Sequence, residues 1–277
     1  MQEADQINAN PTGQTVLRIS HAIFALVLIG LGIIGLSKGD FPPGWTPVPE
    51  SMPVRQVLVY LGDIICIACG AGFLLRPVAT IAARVLFAWL MVWLLFLRVP
   101  WMMIDFGIGT WWAASSTAIL VGTSWVLYSS LANDWDKRLF GFVVGDRGMR
   151  FAQVLFGLGL IPLGIAHFLY LEATAPLVPS WLLFPVFWAY FTGAAFAAAG
   201  LGLIFGVYAR LAATLITLQI ALLTVFVWIP RIVTGNMTPF QWNEFVVSIL
   251  LTTAAWVMTD SYRGIPWLAV VRRRSSE

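Results

Sequence analysis

Apolar residues recur along this chain in eight long runs, separated by short polar or Pro-rich breaks. A helical span needs roughly 20 apolar residues to traverse about 30 Å of hydrocarbon. The runs fall near 18–36, 54–75, 78–99, 110–131, 150–171, 184–206, 208–229 and 241–260. Each is expected to form a transmembrane helix, because a backbone in lipid must satisfy its hydrogen bonds within its own segment. Composition agrees: 60% hydrophobic and 10% charged residues leave too little polar surface to cover a water-soluble globule. Residues 1–17 read as a polar cytosolic tail, since no basic n-region and small-residue cleavage site flank an apolar run there.

Within this pattern the conspicuous residues recur in order. Leu28–Ile33 aligns with Leu160–Ile165 at an offset of 132, which sets Arg18 opposite Arg150. At an offset of 130, Val48-Pro49 meets Val178-Pro179, Tyr60 meets Tyr190, Gly70 and Gly72 meet Gly200 and Gly202, and Val99-Pro100 meets Ile229-Pro230. At 131, Trp111 meets Trp242 and Trp125-Val126 meets Trp256-Val257. An ordered series of this kind implies tandem duplication of a four-helix unit. The expected organisation is an all-α integral membrane protein of eight transmembrane helices: a tail 1–17, a first repeat 18–131, a polar cytosolic linker 132–149, a second repeat 150–262 and a basic cytosolic tail 263–277. An even number of spans per unit makes the repeats parallel, related by an axis along the membrane normal. Gly62, Gly70 and Gly72, and Gly193, Ala197, Gly200 and Gly202, are suited to close helix packing.

The net charge of +3 acquires meaning from its sidedness. With the N-terminus cytoplasmic, twelve basic residues lie on the inner side, most densely in 137–150 and 263–274, and only Lys38, Arg55, Arg98 and Arg231 lie outside. That bias predicts a multi-pass protein of a bacterial-type inner membrane with both termini cytoplasmic. The basic residues orient the chain among lipids and do not point to nucleic acid.

A basic residue opening a Gly-rich first helix, His167-Phe168 near the end of its second-copy counterpart, a Pro/Trp loop, a Gly-patterned second helix and Trp242-Asn243-Glu244 opening the fourth together resemble the DoxX-like family of four-helix membrane proteins. The likeness is stronger over 150–262 and reaches the first half through the repeat. Some members of that family are membrane subunits of thiosulfate:quinone oxidoreductases and others accompany redox proteins. The resemblance therefore implies a membrane subunit of a quinone-linked redox system, working beside a protein partner. Family members often carry a Glu about one turn before the glycine pair of the second helix, where this chain has Cys66 and Phe196.

Two clusters are candidates for chemistry. His167 lies 17 residues beyond Arg150, roughly 26 Å along a helix at 1.5 Å per residue, which puts it near the outer interface. Thr238-Pro239-Phe240-Gln241 has the form of a capping box with Pro at the first helical position, so Glu244 lies early in the last helix. Arg231 ends the preceding helix at similar depth. His167, Arg231, Trp242, Asn243 and Glu244 are expected to meet in one outward-facing polar pocket. It is either a site for a quinone or small acid, with His167 exchanging a proton and Arg231 holding a carbonyl, or a polar network that ties helices together. The first copy has Gly35 and Ala113 at the matching positions, so the pocket is single.

The second cluster is Asp63, Cys66 and Cys69, spaced three apart on one helix face. It is a candidate redox or proton cluster, although buried cysteines also serve as small apolar residues. Asp63 is expected to be neutral or paired with Arg98 or Tyr60. Two cysteines complete no zinc site, and His21 and His167 near opposite membrane faces cannot share a haem, so no metal is assigned and quinone is the one cofactor suggested. Trp45, Trp101, Trp111, Trp112, Trp181 and Trp242 read as an aromatic belt at the outer boundary. Besides a redox subunit, an accessory bundle in a larger membrane complex and a small-solute transporter remain open; for transport, Pro162 is the lone candidate helix kink.

Overall fold

A computed structural model describes residues 18–235 and 237–270. The tail 1–17 and Arg272, Arg273 and Arg274 lie outside the described residues. The elements are α1 (Ile19–Lys38), α2 (Arg55–Leu74), α3 (Arg76–Ile104), α4 (Ile108–Leu131), α5 (Asp134–Val144), α6 (Asp146–Leu169), α7 (Pro185–Phe205), α8 (Ala209–Thr234) and α9 (Pro239–Asp260), with no strands among the described residues. Six of them, α1, α2, α3, α6, α7 and α8, are long and apolar enough to cross a membrane. Their outward faces carry Leu26, Ile64, Phe96, Leu158, Phe191 and Leu215, all exposed to the surroundings where lipid is the apolar solvent.

The remaining long helices, α4 and α9, fall short of that set because hydroxyl and polar residues dilute them. In α4, Ser115, Ser116, Thr117, Thr123 and Ser124 are buried. Thr117 and Thr123 each donate to the carbonyl four residues back, at 2.9 Å, so these hydroxyls are satisfied within their own helix. Packing explains the tolerance. Each helix packs on the next in a ring running α1, α2, α3, α4, α6, α7, α8, α9 and back to α1, while α4 and α9 also touch across its centre. Helices packed on three neighbours present little surface to lipid.

The helices of the ring approach closely through glycine. An added Cβ on Gly164 would stand 2.6 Å from the Gly193 carbonyl and one on Gly193 would stand 2.9 Å from that of Gly164, so α6 and α7 cross backbone to backbone. At the end of the bundle that holds Arg18, here termed the basic end, arginines cap helix C-termini. Arg150 donates to the Leu203 and Ile204 carbonyls (2.8 and 2.5 Å), and Arg18 to that of Asp260 (2.7 Å). The opposite end carries segments 39–54, 105–107 and 170–184 with residues 235, 237 and 238, and is termed the loop end.

Two sequence expectations need correction, and the linker gains detail. The 132–149 linker is mostly helical: Asn133 and Asp136 form a capping box that starts α5, and α6 begins at Asp146. Pro162 does not interrupt its helix, since α6 runs through it. The interruptions lie instead in α3 and α8, where Leu94–Arg98 and Thr224–Trp228 widen into π-helical turns just before Val99-Pro100 and Ile229-Pro230. Proline offers no N–H to an i→i+4 ladder, and a wider turn accommodates the missing donor. Trp45 is not part of a surface belt, being only 1% exposed in the core beside Phe41.

Candidate functional site

At the loop end the second half of the ring forms a partly open cavity of about 200 Å³ between α6, α7, α8 and α9. Segment 174–182 contributes Thr174, Leu177, Val178, Pro179 and Leu182 as a roof, and Trp112 of α4 completes the wall. The interior is apolar and aromatic, with Phe196, Trp188, Trp228, Ile220 and Leu251 among its lining. Its polar side chains are few, and most are spent on the protein. Ser248 donates to the Glu244 carbonyl (2.8 Å), Thr192 to Ala189 (2.9 Å) and Thr174 to Tyr170 (3.1 Å). The Trp188 and Trp228 indoles donate to the Leu183 carbonyl and the Ser248 hydroxyl, both at 3.0 Å.

The ionisable groups on the wall are His167 and Glu244, the latter within hydrogen-bonding reach of its neighbour Asn243. His167 is in the last turn of α6, with its ring 5.5 Å from that of Phe196. Its Nδ1 lies 2.8 Å from the Leu163 carbonyl. A carbonyl only accepts, so this contact assigns the proton to Nδ1 and leaves Nε2 as an acceptor. Glu244 is positioned by the start of α9. Thr238 Oγ1 accepts from the Gln241 amide (3.2 Å), Gln241 Oε1 accepts from the Thr238 amide (3.0 Å), and Pro239 takes the first helical position. This is the reciprocal cap that the sequence pattern predicts, and it sets Glu244 in the second turn. The two groups are not ion-paired with each other: the ion pairs among the described residues are Arg55–Asp40, Arg84–Asp136 and Arg263–Asp260.

The other three expected pocket residues do not line the cavity. Arg231 follows the proline-led turn of α8 outward, and its guanidinium donates to the Pro176 carbonyl (2.8 Å). It thereby ties down the roof segment instead of facing the interior. Trp242 is 45% exposed on the outer face of α9. Asn243 accepts from the Thr46 hydroxyl of the first half at 3.5 Å and also hydrogen-bonds the Glu244 side chain, so it supports the cavity wall without lining it. The aromatic lining was missed in sequence, although Trp188, Thr192 and Phe196 stand at i, i+4 and i+8, and Ile220, Leu223 and Val227 share a helix face.

The first half has no comparable hollow among the cavities described. Buried Trp93 stands where the second half has Leu223, and Arg98 where it has Trp228; Phe41 packs on Trp93 with ring centroids 5.1 Å apart. Arg98 is not paired with Asp63. It donates to the carbonyls of Trp45, Thr46 and Pro47 and to Thr117, holding segment 45–47 down over this half. Tyr60 is 45% exposed, and both Asp63 oxygens are buried without a hydrogen-bond partner. Cys66 and Cys69 are buried free thiols in the packed core. The candidate cluster of Asp63, Cys66 and Cys69 therefore lies in a filled region. Comparison with protein-family models, curated proteins and solved structures gives no match for this chain.

Proposed function

We propose that this chain is a membrane-embedded subunit that binds the ring of a quinone in its second half, in the manner of a DoxX-like component of a redox system. The single observation that carries this reading is a partly open apolar, aromatic cavity in which His167 and Glu244 are the ionisable groups. At about 200 Å³ it lies below the roughly 300–1,000 Å³ of pockets that enclose drug-sized ligands. One ring fits, with an isoprenoid tail left to run into lipid. His167 Nε2 can accept a hydrogen bond from a quinol hydroxyl, and a protonated Glu244 can donate to a quinone carbonyl. Quinol oxidation releases two protons and two electrons, and no cofactor motif within the chain takes the electrons, so a partner protein must accept or supply them.

The setting belongs to the same proposal. The chain is read as eight spans in two parallel four-helix repeats, with α4 and α9 as inner spans and both termini cytoplasmic. The paired π-turns ahead of Pro100 and Pro230 and the matching order of helix contacts in 18–131 and 150–262 support the repeat. Arg18, Arg84, Arg150, Arg210 and Arg263 gather at the basic end, which supports a cytoplasmic placement of that end. Extraction from its native membrane in mild detergent tests the subunit reading. The expected result is co-isolation of a redox protein and of quinone; an isolated monomer free of both that still turns over or transports a substrate overturns it.

A further inference from the structure

Asp63 lies outside the proposed quinone site and is the one carboxylic side chain of this chain with both oxygens buried and no hydrogen-bond partner among the described residues. It sits in α2 with 0% exposure, facing α1. A Cβ placed on Gly35 would come within 1.9 Å of Asp63 Oδ1, so the carboxyl fills the notch that Gly35 leaves. Gly35 is in the last turn of α1, and its carbonyl accepts from the amide of Asp40 (3.3 Å) just beyond the helix. Asp63 is therefore set about one helical turn, roughly 5 Å, below the loop end.

A carboxylate at this fully buried position would have no protein donor to replace its hydration, and its uncompensated charge would be costly. The charged groups around it do not remedy this. Lys38 ends α1 at the surface, Asp40 is paired with Arg55 (2.6 Å), Cys66 lies one turn further along α2, and Arg98 of α3 is committed to loop carbonyls. The neutral acid fits the site without a partner. The second half repeats the arrangement with the roles exchanged. Gly193 of α7 packs against His167 of α6, its Cβ position 2.8 Å from that of His167, whereas Gly35 of α1 packs against Asp63 of α2. Each half thus seats one proton-binding group against a glycine at the same helix crossing.

We propose that Asp63 is a second, separate site, one that binds a single proton at rest and exchanges it with the aqueous phase at the loop end. The protonated form is COOH and the deprotonated form COO⁻, with the proton passing to water beside Asp40. Infrared spectra of the full protein in lipid, wild type minus Asp63→Asn at neutral pH, test it. The expected result is a protonated-carboxyl C=O band that shifts in heavy water and bleaches reversibly as the buffer is made alkaline. No such band, or a band that persists at every pH at which the protein stays folded, overturns the proposal. Should Asp63→Asn fail to fold, dicyclohexylcarbodiimide reports on the wild type. The acid O–H adds across one C=N bond, oxygen to carbon and proton to nitrogen, and acyl migration leaves a stable N-acylurea. Mass spectrometry is expected to find that adduct on Asp63 and to find less of it in alkaline buffer; no adduct on Asp63, or a yield indifferent to pH, contradicts the site.

Discussion

His167 and Glu244 owe their place in one cavity to different local causes, and both causes are short-range. Helix rise alone carries His167 from the basic end to the loop end, and the Thr238/Gln241 cap sets the start of α9 and with it the depth of Glu244. Replacing His167 by Ala removes the acceptor and leaves the apolar wall, so binding of a short-chain quinone, followed by quenching of Trp188 and Trp228 fluorescence, is expected to weaken about tenfold, on the order of 1.4 kcal/mol. Unchanged affinity in a folded His167→Ala protein would assign the ring a packing role only. Arg231 illustrates what helix depth cannot convey. Its reach to the Pro176 carbonyl depends on the course of segment 170–184, which has no periodicity from which to infer a path. Arg98 likewise depends on the irregular segment 39–54, and the sequence offered Asp63 as its obvious partner while three backbone carbonyls take it in the fold.

The helices themselves were legible because apolar runs of bilayer length have few alternative readings, and the observed ends depart from expectation where capping intervenes. Asn133 and Asp136 carried a capping signal inside the stretch read as a linker, but its polar composition masked the short helix α5. The π-turns were beyond a reading of periodicity, since a single widened turn leaves the apolar pattern intact; Val99-Pro100 and Ile229-Pro230 were the available sign. The crossing of α6 and α7 is the contact on which the cavity most depends. Gly193→Leu would drive a branched side chain into His167 and the Gly164 carbonyl, at a cost of about 1–3 kcal/mol for overpacking. Thermal unfolding in detergent is expected to show that loss together with loss of quinone binding; a variant as stable as wild type would mean that the two helices are free to separate at this level.

In the whole molecule, residues 18–131 and 150–262 differ in what fills their loop ends. Trp45, Phe41, Trp93 and Arg98 occupy the loop end of the first half, whereas the second keeps a hollow with His167 and Glu244 on its wall. The sequence already marked this asymmetry through Gly35 and Ala113, but the filling side chains come from a loop and from the third helix and could be assigned only in three dimensions. Trp112 of α4 reaches the cavity from the first half, so the hollow belongs to the assembled ring. The central claim is that a quinone ring occupies this hollow. Photo-crosslinking of a short-chain azidoquinone to the full protein in native membranes, followed by peptide mapping, tests it most directly. The account predicts labels on Leu163–His167 and on Glu244–Leu251, suppressed by excess unmodified quinone; labels spread along the lipid-facing sides of α1, α2 and α3 and indifferent to competitor would contradict it.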